Sequence, residues 1–102
     1  MNRTSAESRR LRGTIQWGSR IVLTPAAAKK MGSAHYDVAM ADSFTHYYSC
    51  VDSDGLRCRV HLSMASVQDV LPPTEERKME ALKKFFRKAE DGLYRSPLCV
   101  YP

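Results

Sequence analysis

The amino-acid sequence predicts a mainly β domain of the α+β class, with antiparallel strands, a short helical connection near residues 25–31 and a C-terminal amphipathic helix over residues 75–91. Three observations carry this expectation. From His35 onward apolar and polar residues alternate with period two. Ser53-Asp54-Gly55 separates two strand-like runs in the manner of a hairpin loop. After Pro72-Pro73 the period changes to steps of three and four, the signature of one helix face.

Residues 1–12 set Arg3, Arg9, Arg10 and Arg12 against Glu7 alone and read as a flexible basic arm, leaving residues 13–102 as a single small domain. Its strands span residues 13–73, and residues 74–102 supply the helix and a tail. Residues 13–24 mix β-branched and aromatic side chains with two glycines, and predict a short strand, a break at Gly18 and a second strand. Thr24 followed by Pro25 is an N-cap with proline at the first helical position, and Gly32 closes the turn or two of helix between them. From His35 the alternation puts Tyr36, Val38 and Met40 on one face and His35, Asp37, Ala39 and Ala41 on the other.

Two runs, residues 45–51 and 56–62, flank the Ser53-Asp54-Gly55 loop, and the loop length decides which side chains face inward. A two-residue Asp-Gly loop pairs Val51 with Cys58. A three-residue loop with Gly55 left-handed pairs Cys50 with Cys58 and collects Tyr48, Cys50, Leu56, Cys58, Val60 and Leu62 on a single apolar face. The second register is preferred because its inner face is the more consistently apolar. Residues 63–66 read as a tight or 3₁₀ turn and residues 67–71 as a last strand, ended by the proline pair. Thr74 then caps a helix whose stripe is Met79, Leu82, Phe86, Ala89 and Leu93, with Glu75 and Glu76 in the first turn. Glu80 and Lys84, four apart, suit a solvated, salt-bridged outer face. Residues 98–101 suit a short edge strand or a pinned tail.

The order of these features, Gly18-Ser-Arg-Ile-Val-Leu-Thr-Pro, an alanine-rich turn, Tyr36-Asp-Val, Tyr47-Tyr-Ser-Cys-Val-Asp-Ser-Asp-Gly-Leu-Arg-Cys-Arg-Val-His-Leu and Val67-Gln-Asp-Val-Leu-Pro, resembles an SH3-like small β-barrel over about residues 13–73. The resemblance is one of pattern. It implies a binding module, while the Ala-Leu-Tyr-Asp-Tyr type of signature that accompanies proline-rich peptide recognition is missing, which leaves the ligand open.

Composition excludes several classes. At 43% hydrophobic and 26% charged residues the chain is an ordinary globular sequence, and no apolar run approaches the ~18 residues of a membrane span. The N-terminus lacks the apolar core of a secretory signal. Cys50, Cys58 and Cys99 are odd in number and form no Cys-x-x-Cys pair, so neither a disulfide framework nor a zinc site is expected, and the cytoplasm is the simplest compartment. His35, His46 and His61 follow no metal-ligand spacing. No nucleophile elbow, phosphate loop or dinucleotide motif is present, and Cys58 with His61 would point to opposite faces of one strand. No catalytic residue, cofactor or metal is therefore expected.

The net charge of +5 comes from the two ends, because Arg20, Lys29, Lys30, Arg57 and Arg59 are cancelled between residues 13 and 73 by Asp37, Asp42, Asp52, Asp54 and Asp69. Arg57, Arg59 and His61 recur at every second position, in a row about 7 Å apart, with Tyr47 across from them. Such a row suits carboxylates on a protein surface, Arg and Tyr being frequent interface anchors. It equally suits a phosphate backbone, with the tyrosine stacking on a base. Trp17, the one tryptophan, is either core or a surface anchor. The leading expectation is a non-enzymatic accessory or inhibitory protein, of the kind compact phage or mobile-element genomes encode, docking on a protein or protein–nucleic acid complex through Tyr47, Arg57, Arg59, His61 and Trp17. The alternative is direct nucleic-acid binding through Arg9, Arg10, Arg12, Arg57 and Arg59.

Overall fold

Antiparallel pairing gathers the middle of the chain into one five-stranded sheet. The computed structural model describes residues 4–41 and 47–86. In chain order these form α1 (Ser5–Gly13), β1 (Arg20–Leu23), α2 (Pro25–Met31), β2 (His35–Ala41), β3 (Tyr47–Asp52), β4 (Arg57–His61), a 3₁₀ turn (Met64–Ser66), β5 (Val67–Leu71) and α3 (Glu75–Phe85). The strand order is β4-β3-β2-β1-β5, so the fold is α+β with an antiparallel sheet and three helices.

The hairpin has the three-residue loop. Cys50 stands opposite Cys58 and Tyr47 opposite His61. Gly55 is left-handed at φ 84°, and the Asp52 carboxylate accepts hydrogen bonds from the backbone N–H of Asp54 and Leu56, both at 2.9 Å. Leu56, expected on the inner face, is exposed, since it sits at the mouth of this loop beyond the reach of the core. α2 follows its caps closely. The Thr24 hydroxyl accepts from the Ala27 N–H, Pro25 opens the helix and Gly32 ends it at φ 73°.

Further expectations are corrected. The first concerns residues 1–12, where a flexible arm was the reading: Ser5–Gly13 is a helix closed by a capping box. Thr4 Oγ1 accepts from the Glu7 N–H while Glu7 Oε1 accepts from the Thr4 N–H. The helix is anchored by Leu11, which packs against the core. The second concerns residues 13–17, which form no strand. Gly18, at φ 92°, turns the chain so that its N–H meets the Val38 carbonyl and Ser19 meets Val38 from the other side, while Ile15 drops into the core. The third concerns β2, whose register shifts between Val38 and Met40. That bulge leaves Tyr36 and Val38 in the core as expected but sends Ala39 to the opposite buried layer and Met40 out to solvent.

Each face of the sheet has its own apolar layer. Ile21, Leu23, Tyr36, Val38, Tyr48, Cys50, Cys58, Val60, Leu62, Val67 and Val70 build the larger one. On the other side α3 covers Ala39 and Val51 with Ala81 and Phe85. The helix is therefore rotated by about one residue from the expected stripe: Met79 and Phe86 are exposed, and Ala81 and Phe85 face the sheet. Its first turn sets this rotation. Trp17 Nε1 donates to the Lys78 carbonyl at 3.0 Å, and Arg77 Nη1 donates to the carbonyls of Gly18 and Pro72. Gly18 permits the close approach, for a Cβ there would lie 2.5 Å from Lys78 Cγ and 2.9 Å from Pro73 Cβ. Ala89 and Leu93, and residues 87–91 of the expected helix, lie outside the described residues, as do residues 98–101.

Candidate functional site

The strand alternation that buries Tyr48, Cys58 and Val60 turns Tyr47, Arg59 and His61 outward. Tyr47 and His61 are directly opposed across β3 and β4, with ring centroids 5.0 Å apart and planes tilted by 49°. The Arg59 guanidinium lies 5.3 Å from the Tyr47 ring centroid, in cation–π range. The ring thus contacts both a cation and an imidazole, and all three side chains are exposed. Stacking of this kind removes rotamer freedom before any partner arrives, which lowers the ordering cost of binding.

Arg57 belongs to the same row in sequence but has a different environment. Its Nη1 donates to the Phe85 carbonyl at 3.4 Å and its guanidinium lies 5.8 Å from the Phe85 ring centroid. It is half-buried and bridges β4 to the end of α3, so the expectation of a solvent-facing side chain at Arg57 is corrected. The sequence offers no sign of this, because helix α3 crosses the outer face of a hairpin that, in isolation, would expose it.

The arginines of α1 also separate. Arg9 and Arg10 are exposed, whereas Arg12 reaches inward, donating to Tyr48 Oη and to the Leu62 carbonyl, each at 3.3 Å. Trp17 is neither fully core nor free: it is 38% exposed, holds the Lys78 carbonyl, and has the Lys78 ammonium 5.2 Å from its ring centroid. Beside it lies a groove of about 830 Å³ that sequence reasoning missed. The end of α1, the loop through Trp17, the bulged end of β2, Tyr48 and Leu82 line it. Met40 is among its lining residues, and alternation alone assigns Met40 to the core.

Partly buried polar groups are elsewhere. Arg20 and Asp37, opposite one another on β1 and β2, form a bidentate pair at 2.6 and 3.0 Å, and this hydrogen bonding raises the arginine further above its ordinary range. His35 Nδ1 is buried with no hydrogen-bond partner among the described residues. Burial lowers its pKa from the ordinary histidine value, and the charge of Arg20 adds to the effect. Cys50 and Cys58 are buried, with Cys58 on the core side of β4 and His61 on the outer side, so Cys58 and His61 do not meet. Among the described residues no group of three His, Cys, Asp or Glu is placed to hold a metal ion. Nor is any helix among them long and apolar enough to cross a membrane.

No protein-family model, curated protein or solved structure matches this chain.

Proposed function

We propose that the protein is a non-enzymatic binding module, an SH3-like small barrel in construction, that acts in the cytoplasm as an accessory or inhibitory factor docking on a larger protein or protein–nucleic acid complex. The observation that supports this most strongly is the Tyr47–Arg59–His61 cluster, an exposed aromatic ring in contact with two cationic or hydrogen-bonding groups. Aromatic and arginine side chains carry most of the energy of typical protein interfaces, and an acidic partner surface complements this one.

Direct nucleic-acid binding is the weaker reading, for a stated reason. Of its five arginines, Arg12 is committed to Tyr48 and Leu62 and Arg57 to Phe85. Arg9 and Arg10 on α1 and Arg59 on β4 remain exposed, a sparse set for a continuous phosphate backbone.

Affinity capture from the native source, with and without nuclease and over a salt series, tests the proposal. The expected result is a protein retained after nuclease treatment, with an affinity that falls only modestly as salt rises. Loss of the captured material on nuclease treatment, with the steep salt dependence of counterion release, would establish the nucleic-acid reading instead.

A further inference from the structure

Met40 and Trp17 are large apolar side chains left 49% and 38% exposed, and both line the groove between α1, β2 and α3. Met40 is there because the β2 bulge turns it away from the core, and bulges commonly re-aim a side chain for use. Leu82 of α3 completes an apolar wall, so the three come from separate parts of the chain that only folding brings together. Among the described residues the groove's charge is one-sided. Among the described residues the charged side chains lining it are Arg9 and Arg12, and no carboxylate joins them. Arg12 is held in place by Tyr48 Oη and the Leu62 carbonyl, so its positive charge is fixed at the wall, while Arg9 stands at the exposed rim.

An occupant must therefore combine an apolar face with negative charge. The groove is open along Trp17 and Met40, whereas small-molecule sites enclose most of their ligand. A polypeptide segment satisfies both conditions, since it can seat one face on Trp17, Met40 and Leu82 and leave the other in water. We infer that this groove receives an acidic amphipathic segment of a partner protein, with its apolar side chains on Trp17, Met40 and Leu82 and its carboxylates facing Arg9 and Arg12. This is a second surface, separate from the hairpin cluster, and the two can fail separately.

Selection of a random-peptide library on the full-length protein tests it, with affinities of the selected peptides then read from the fluorescence of Trp17, the sole tryptophan. The selected peptides should carry Asp or Glu beside apolar anchors. Met40→Asp and Arg9→Glu, both at exposed positions, should each weaken binding by about tenfold or more while circular dichroism shows an unchanged fold. Arg59→Glu, on the hairpin cluster, should leave peptide affinity unaltered. A basic consensus, peptides indifferent to Met40→Asp and Arg9→Glu, or no enrichment at all, as for a groove filled by the chain itself or by a second copy, would overturn the inference.

Discussion

Adjacent phenylalanines on α3 have opposite fates: Phe85 is 7% exposed beneath the helix, and Phe86, at 53%, touches it edge-on with ring centroids 5.1 Å apart. Phe85→Ala should cost about 3–5 kcal/mol, the usual price of truncating a buried aromatic, and Phe86→Ala less than about 1 kcal/mol. Urea denaturation of both variants checks this, and equal midpoints would contradict the rotation of α3 described above. Periodicity could not separate them, because stripes through Phe86 and through Phe85 differ by one residue and both contain Leu82. What decides is the contact of Trp17 and Gly18 with Lys78, sixty or so positions away in sequence and invisible to a local pattern. His35 makes a second residue-scale prediction. Its folded pKa is lowered by burial and by Arg20 and Arg77, against the opposing pull of Asp37 and Asp52, so the unfolded chain binds the proton first as pH falls. The stability this group contributes is complete above the unfolded value of about 6.5 and is lost as pH drops from there through the lowered folded value. The slope of unfolding free energy between pH 7 and pH 5 should therefore flatten in His35→Gln relative to wild type, and an unchanged slope would remove His35 as its cause.

Whole elements were legible where local chemistry suffices to define them. The Ser53-Asp54-Gly55 loop, the Thr24-Pro25 start and Gly32 stop of α2, the 3₁₀ turn and β5 all follow from turn and cap residues acting within a few positions. The β2 bulge was not legible, because Met40 continues the alternation perfectly and only the pairing with β3 reveals the extra residue. α1 is a different case. Its Thr4-Ser-Ala-Glu7 capping box is a readable sequence signal that the density of arginine obscured. Removing the cap by Thr4→Ala should destabilise α1 by about 1 kcal/mol. Amide hydrogen exchange is the appropriate measurement, with faster exchange expected over residues 8–13 and unchanged protection in β2 and β3. Protection in α1 unaffected by the substitution would mean that Leu11 and Arg12, rather than the cap, hold the helix in place.

At the scale of the whole molecule, the described residues bring Tyr47, Arg59 and His61 together in one exposed cluster. Its net charge of +5 favours acidic partners generally, but much of the internal arginine is spent on structure: Arg20 on Asp37, Arg12 on Tyr48, Arg57 on Phe85 and Arg77 on Gly18. The candidate site was legible in sequence to the extent that strand alternation exposes Tyr47, Arg59 and His61 together. It was not legible at Arg57, whose surroundings are made by α3. The claim that binding runs through the hairpin cluster is tested most directly by the affinity of the captured, nuclease-treated partner for Tyr47→Ala/Arg59→Glu, measured by isothermal titration calorimetry beside wild type. Both positions are exposed, so the variant should keep its fold, and the account predicts a loss of affinity of about a hundredfold or more, in keeping with truncation of an aromatic anchor and reversal of a facing charge. A folded variant that binds the partner as tightly as wild type would contradict it.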